Sequence, residues 1–335
     1  MPSVAQPRIG FVGAGLHSSL NLYPAFAATG VPLVGVAERN PARVAEAEAR
    51  GIHPIFPNHL ALIEASNLDG IVVSLAPHLQ ADVVADCVRA GAAVFVEKPL
   101  GSTEAEARKI SEIAADAGVP VMLGFMKRFA PAYTQLKTLI GEDTEQGPVI
   151  SYACEFGFAA WKPDFTPVEF ITQAVIHLID LVRDVFGEVV DVSAMQNSVG
   201  DGLAIIVQVR HENGVVGSLN FVSAKAWSRE TEELSVTCAN GVVRVSDLSR
   251  IQVLTGEVAG TVAGPGETLS ERSVTFDVSN SPGSGSLKDL YLRGYIGEMQ
   301  HFVGVLQGTE ELSPSAADNV RTMALCDTIL AAISN

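Results

Sequence analysis

Two short motifs of this 335-residue chain, or phrases, contain residues that could bind a ligand or take part in a reaction. They are Gly13-Ala14-Gly15 and Glu97-Lys98-Pro99. The first follows an apolar run at 9–12 and precedes a predicted helix, an order that presents backbone N–H groups and a positive helix end to a pyrophosphate. The second follows an apolar run at 92–96, so Lys98 is predicted to emerge at the carboxyl end of a strand. Ligands of open α/β sheets bind at that edge. A dinucleotide site and a lysine at the same edge suggest redox chemistry.

The elements that must position both phrases alternate along the first third of the chain. Strand-like runs lie at 8–12, 31–37, 54–56, 70–74, 94–97 and 120–124. Helical patterns lie at 16–29, 41–50, 59–65, 78–90 and 103–117. Such alternation is typical of βαβ units, so we predict an α/β fold in which residues 1–125 form a Rossmann domain with a doubly wound parallel sheet.

The pattern changes after about residue 147. A helical segment at 167–186 precedes strand-like runs at 188–198, 203–211, 214–223, 232–238, 241–246 and 250–254. Asn213-Gly214 and Asn240-Gly241 are hairpin signals between such runs, and two helices are predicted to close the chain at 287–307 and 315–333. We therefore predict that residues 126–335 form an α+β domain for substrate binding and oligomerisation, with a large, mostly antiparallel sheet open on one face.

The nucleotide preference depends on the residues that follow the second predicted strand. Glu38 lies about 20 residues beyond the glycine turn, where an acidic side chain can accept hydrogen bonds from the adenosine ribose and repel a 2′-phosphate. This placement favours NAD. The neighbouring Arg39 could instead bind the phosphate of NADP or lie over the adenine, so NADP remains possible.

Composition excludes several partners. The net charge of −16 argues against nucleic acid and anionic membranes, because both are bound by clustered Lys and Arg. No apolar run approaches the roughly 20 residues that span a bilayer, and the segment Met1 to Pro7 lacks a signal-peptide core.

The four cysteines are far apart and form no C-x-x-C pair, which favours reduced thiols in the cytoplasm. The histidines match no metal-ligand spacing, so we assign no metal.

The chain resembles the glucose–fructose oxidoreductase, inositol dehydrogenase and MocA family of nicotinamide-dependent sugar and polyol dehydrogenases. The phrases that carry the resemblance occur in family order from end to end, at Gly13–Gly15, Ser74–Leu79, Glu97–Leu100, Gly124–Pro131, His177–Asp180, Glu298–Phe302 and Ser313–Ala316. The resemblance implies cofactor contacts at Gly13, Gly15, Leu16, Glu38, Arg39, Ala76, Pro77, Glu97 and Lys98. It also implies that Lys98 lies beside the reacting carbon, where a cation would stabilise the developing alkoxide.

A polar stripe on the predicted helix 167–186 holds the second catalytic candidate. The stripe comprises Glu169, Gln173, His177, Asp180 and Asp184. It lies opposite an apolar stripe of Val168, Ile171, Val175, Leu178, Val182 and Val185. The polar side could line a wet pocket or simply face solvent. The resemblance makes His177 the general base, because imidazole titrates near neutrality.

The sequence leaves the roles of three further positions open. Gln173 stands where relatives commonly have an aspartate, and it is expected to hydrogen-bond the substrate or orient the imidazole. Gln80 stands where many relatives have a histidine beside the cofactor. Trp161, in the loop before the helix, could cover a sugar ring or serve only in packing.

The resemblance implies an NAD(P)-dependent dehydrogenase that acts on a secondary alcohol of a sugar, polyol or related cyclic compound. It also implies a homodimer or homotetramer formed through the open sheet face, which would otherwise expose apolar surface. The alternative is a non-catalytic NAD(P)-binding protein that senses a metabolite or regulates a partner, an idea that Gln173 keeps open.

Overall fold

A computed structural model describes residues 6–158, 166–224, 229–256, 271–278 and 287–333. Its contacts divide the chain into two units. The first unit joins Met1–Phe129 with Leu287–Ala324, and the second joins Ala130–Ser286 with Leu325–Asn335. The predicted boundary after residue 125 differs from this division, in which Leu287–Ala324 groups with the first unit.

The first unit contains a six-stranded sheet in the order β3-β2-β1-β4-β5-β6, and every neighbouring pair is parallel. The strands are β1 (Ile9–Val12), β2 (Leu33–Ala37), β3 (Ile55–Phe56), β4 (Gly70–Val73), β5 (Ala93–Glu97) and β6 (Val121–Gly124). The predicted doubly wound sheet is confirmed. The strand order reverses between β1 and β4, which is the point where such sheets bind ligands.

The helices that connect and cover this sheet lie close to their predicted positions. They are α1 (Tyr23–Ala27), α2 (Pro41–Ala49), α3 (His59–Ala65), α4 (Pro77–Arg89) and α5 (Glu104–Ala117). A π-helical turn, Ser18–Leu22, precedes α1, and a 3₁₀ turn, Met126–Phe129, follows β6. Strands β1, β4 and β5 are buried along their whole length, as expected of a parallel sheet covered on both faces.

The second unit contains an eight-stranded sheet in the order β14-β13-β12-β11-β7-β10-β9-β8. Its strands are β7 (Val149–Phe158), β8 (Val189–Val199), β9 (Gly202–His211), β10 (Val216–Ser223), β11 (Thr231–Cys238), β12 (Val242–Ser246), β13 (Arg250–Gly256) and β14 (Glu271–Asp277). All pairs are antiparallel except β7 with β10. This confirms the predicted mostly antiparallel sheet, although β7 and β14 were not predicted.

The predicted helix 167–186 consists of three parts. Its parts are α7 (Pro167–Glu169), a π-helical turn (Phe170–Val175) and α8 (Ile176–Phe186), preceded in the unit by α6 (Pro131–Leu139). Ile171, Val175, Leu178 and Val182 are buried, as the apolar stripe predicts, whereas Val168 is exposed. Val168 lies in the capped first turn, where Thr166 and Glu169 form a reciprocal capping box, before the buried part of the helix begins.

Three further helices complete the chain. They are α9 (Lys288–Leu292), α10 (Tyr295–Gln307) and α11 (Ala316–Ile333). Helix α10 covers one face of the first unit's sheet, where Phe302 meets Phe95 with ring centroids 5.9 Å apart. Burial of each such aromatic ring stabilises the fold by about 1.5–3 kcal/mol. In the part of the chain that the structure describes, no helix is both long and apolar enough to span a bilayer.

Candidate functional site

A cavity of about 610 Å³ opens at the carboxyl ends of β1, β2 and β4 in the first unit. It lies at the point where the strand order reverses, as expected for a ligand site of this fold. Its wall contains six of the residues that the resemblance implies for the cofactor, namely Gly13, Gly15, Leu16, Glu38, Arg39 and Ala76. Pro77 follows directly as the first residue of α4. The structure thus brings the glycine turn and the residues after β2 to one cavity.

Gly13 makes the tight turn at the end of β1 possible. Its φ is +100°, and a Cβ added there would lie 2.2 Å from the carbonyl oxygen of Ser74. Its N–H donates to the carbonyl of Ala37 (2.9 Å), and its own carbonyl accepts from the hydroxyl of Tyr23 (2.9 Å). Gly15 is less confined, since its added Cβ would meet only the Arg43 guanidinium, at 3.8 Å. Together the two glycines leave backbone exposed where a pyrophosphate would approach.

We expect Gly13→Ala to lower the free energy of unfolding by about 2–4 kcal/mol, because the new methyl group meets backbone and the left-handed φ is strained. Gly15→Ala is the matched control. It introduces the same methyl group two positions further along the chain, in ordinary contact with a flexible side chain, and should change stability by less than about 1 kcal/mol. Urea unfolding of both variants checks this, and equal destabilisation would contradict the role given to Gly13.

Glu38 ties the end of β2 to the glycine turn. It is buried, its Oε2 accepts from the N–H of Ala14 (2.9 Å), and its Oε1 accepts from the N–H groups of Arg39 (2.9 Å) and Asn40 (2.8 Å). Charge-assisted bonds of this kind are among the stronger hydrogen bonds in proteins. The sequence did not predict these bonds. A carboxylate has about four acceptor positions, so Glu38 retains capacity for a further donor from the cavity.

Two arginines add positive charge beside Glu38. Arg39 is exposed, and Arg43 places Nη1 3.9 Å from the Glu38 Oε2. Both side chains contribute to the cavity wall. The arrangement therefore combines an acceptor suited to ribose hydroxyls with cations that a phosphate could reach, which matches the two alternatives left open by the sequence.

Gln80 holds the backbone on both sides of Lys98. Its side chain is fully buried, and Nε2 donates to the carbonyls of Glu97 (2.8 Å) and Pro99 (2.7 Å). Lys98 directly follows β5, as predicted. The sequence shows Gln80 only as a departure from relatives. This contact could not be inferred from it, because the contact joins residues 17 and 19 positions apart.

Glu97 and His17 form a pair beside the same strand end. Nε2 of His17 lies 3.0 Å from Oε1 of Glu97, and Nδ1 of His17 lies 3.1 Å from the Asn21 amide nitrogen. His17 contributes to the cavity wall, whereas Glu97 is buried behind it. The ring of His17 also meets Tyr295 of α10 edge-on, with centroids 5.7 Å apart.

In the second unit, the polar stripe of the predicted helix is buried at its centre. His177 is 8% exposed and Asp180 is fully buried, whereas Gln173 is exposed. An ordinary solvent-facing stripe would expose His177 and Asp180, so that alternative does not describe this part of α8. Gln173 lies in the π-helical turn before α8, and its offset from His177 is therefore not that of a regular α-helical turn.

Other candidates give no further site. Trp161 falls in 159–165, outside the described residues. The four cysteines are buried thiols. Among the described residues, no group of three or more His, Cys, Asp or Glu side chains could hold a metal ion.

Comparison with known proteins places the chain among oxidoreductases. Residues 7–125 match the family described as "Oxidoreductase family, NAD-binding Rossmann fold", with the designation GFO_IDH_MocA. A D-apiose dehydrogenase of Paraburkholderia graminis is 24% identical, with 94% of this chain and 84% of that protein covered. An inositol 2-dehydrogenase of Rhizobium meliloti is 25% identical, with 98% and 97% covered.

A solved structure shares the fold of the whole chain. It is an oxidoreductase from Agrobacterium radiobacter in complex with NAD⁺, L-tartaric acid and magnesium, with a TM-score of 0.80 and 18% sequence identity. The match covers 99% of this chain and 97% of that one. Residues 7–125 thus belong to the glucose–fructose oxidoreductase, inositol dehydrogenase and MocA family of NAD-binding oxidoreductases. The two dehydrogenases are similar to the chain over nearly its full length.

Proposed function

We propose that the protein is an NAD(P)-dependent dehydrogenase that moves a hydride between the nicotinamide and a secondary alcohol or ketone of a sugar, polyol or related cyclic compound. The observation that carries the proposal is the cavity at the strand-order reversal, walled by the glycine turn and Glu38, within the residues 7–125 that match this family. The names of the relatives, D-apiose and inositol dehydrogenases, support a polyhydroxylated substrate.

The residues present fit a dinucleotide. Gly13 and Gly15 leave out the side chains that would obstruct close approach of a pyrophosphate to the backbone. Glu38 would accept from the adenosine ribose, with Arg39, Leu16, Ala76 and Pro77 lining the remaining wall in this proposal. The bound nicotinamide would supply the hydride acceptor.

The chain's own groups would handle the substrate hydroxyl. The Lys98 ammonium would stabilise the negative oxygen that develops as the hydroxyl is oxidised. The imidazole of His177 would take the hydroxyl proton. Gln80 would hold the backbone on both sides of Lys98, so that the lysine side chain extends from a fixed backbone position. Gln173 and Trp161 are proposed as substrate contacts.

We expect Glu38→Ala to lower the preference for NAD over NADP, measured as the ratio of kcat/KM values, by about tenfold or more. The substitution removes both a ribose acceptor and the negative charge that repels a 2′-phosphate. It also removes the acceptor of three backbone N–H groups, so a lower thermal stability is expected as well.

The matched control for Glu38 is Glu46→Ala. Glu46 lies on α2 and pairs with Arg50 on the surface, so its loss removes a similar charge without touching the cavity. The control should leave the cofactor ratio unchanged. An unchanged ratio in Glu38→Ala would contradict the proposed ribose contact.

We also propose a cytoplasmic homodimer or homotetramer that associates through the exposed face of the eight-stranded sheet. Strand β9 alternates between buried and exposed residues, and Ile206 on its exposed side is 42% accessible. The four buried thiols suit a reducing compartment. Light scattering should give a mass two or four times 35.2 kDa; the mass of a single chain would contradict the proposal.

The enzymatic proposal is tested by following nicotinamide reduction spectroscopically with a panel of sugars, inositols and sugar acids. Turnover with a panel member supports it. Failure of both NAD and NADP to bind would overturn it.

A further inference from the structure

Helix α10 packs against strands β4 and β5. A Cβ added to Gly70, the partner of Ala93 on β5, would lie 2.8 Å from Cδ1 of Leu306 and 3.1 Å from Cζ of Phe302. The ring of Phe302 also meets that of Phe95, two residues beyond Ala93, with centroids 5.9 Å apart. Two strand residues advance about 6.6 Å and four helix residues about 6 Å. Glu298 precedes Phe302 by four residues on α10, and Glu97 follows Phe95 by two residues on β5. We therefore place Glu298 at the level of Glu97.

Among the described residues, no hydrogen-bond donor reaches the carboxyl group of Glu298. The residue is fully buried, and neither side-chain oxygen has a hydrogen-bond partner among the described residues. An ionised carboxylate at such a position would be strongly disfavoured. Burial and the charge of Glu97 raise the pKa of Glu298 well above its ordinary value.

Glu97 has the opposite environment. Its Oε1 contacts His17, and its carboxyl group fills the space left by Gly124 on the neighbouring strand, where an added Cβ would lie 3.1 Å from it. With the Asn21 amide donating to Nδ1 of His17, the ring proton is on Nε2 and is donated to Glu97. Of the two carboxyl groups of Glu97 and Glu298, that of Glu97 therefore has a hydrogen-bond donor, His17, and is the one suited to carry the negative charge.

We propose that Glu298 is a neutral carboxylic acid and that a rotation of its side chain lets it donate its proton to Glu97, which positions Glu97 and, through it, His17 at the wall of the cofactor cavity. Tyr295 supports the same arrangement, because it precedes Glu298 by three residues on one helix face and packs its ring against His17. Glu298 is a positioning residue, since it acts through Glu97. The effect on cofactor binding rests on the proposed function; the protonation state of Glu298 does not.

The test uses three variants of the full chain. Glu298→Gln keeps a donor of nearly the same shape, and Glu298→Met keeps the length but removes the donor. Phe302→Leu is the control, because it disturbs the same helix and core without removing a carboxyl group. Infrared spectra at pH 7 should show a carboxylic-acid C=O band in the wild-type protein and in Phe302→Leu. The band should be absent from both Glu298 variants.

Two further readouts separate positioning from stability. Glu298→Met should bind NAD about tenfold more weakly than Glu298→Gln, the size expected for loss of one hydrogen bond to a charged group. The His17 ring resonances should keep their wild-type positions in Glu298→Gln and shift in Glu298→Met.

Two results would overturn the inference. One is the absence of an acid band that Glu298→Gln removes, and the other is equal NAD affinity and equal His17 resonances in the two Glu298 variants. If the wild-type protein binds no NAD, the proposed function fails, while the infrared band and the His17 resonances of the cofactor-free protein still decide the role of Glu298.

Discussion

Replacement of Lys98 by methionine should lower kcat by about a thousandfold, the loss expected when one donor that stabilises a developing oxyanion is removed. Methionine keeps the length and most of the volume of the side chain but carries no charge. Since the proposed role of Lys98 is exerted on the reacting oxygen, the dissociation constant for NAD should change by less than about threefold. Steady-state turnover and a fluorescence titration of NAD measure the two quantities.

The control for Lys98 is Lys109→Met, which removes a lysine exposed on α5 of the same unit. It should leave both turnover and NAD affinity at wild-type values. If Lys98→Met weakened NAD binding and turnover by the same factor, Lys98 would be a cofactor-binding residue and not part of the chemistry.

Replacement of His177 by asparagine should lower kcat/KM by about 10²- to 10⁴-fold, the usual contribution of a general base. The pH profile gives a second readout. In the wild-type protein, activity should fall on the acid side, because protonated imidazole cannot accept the hydroxyl proton. Asparagine does not titrate, so the residual activity of the variant should lack that decline.

The control for His177 is Asp184→Asn on the same helix. Asp184 lies 2.9 Å from Lys137 in a partly exposed ion pair, and its loss should lower stability by less than about 1 kcal/mol. It should keep the wild-type pH profile. An acid-side decline that persists unchanged in His177→Asn would assign the base to another residue.

The first unit could be predicted well because its signals are local. Strands buried on both faces are short continuous apolar runs, such as 70–73 and 93–96, and the glycines and capping residues between them mark the helix ends. The two π-helical turns could not be predicted in the same way, because an extra residue in a helical turn leaves no distinct periodicity. The central, half-buried strand β7 was missed because small residues such as Ala153 and Gly157 weaken its alternation.

The candidate site was predictable in its residues and much less so in its contacts. The glycine turn and Glu38 follow strands and therefore reach one sheet edge, which the strand pattern alone indicates. The three backbone bonds of Glu38, the bridge from Gln80 around Lys98 and the position of Glu298 beside β5 depend on side chains from segments distant in sequence. Those contacts follow from packing, which one sequence does not reveal.

The most direct test of the central claim is spectroscopic reduction of NAD and NADP by the purified protein with sugars, inositols and sugar acids, run beside Lys98→Met. We expect turnover with at least one member of the panel, a preference for NAD, and loss of turnover in the variant. Cofactor binding without turnover on a broad panel would favour the non-catalytic alternative, and the absence of binding to either dinucleotide would contradict the proposed function.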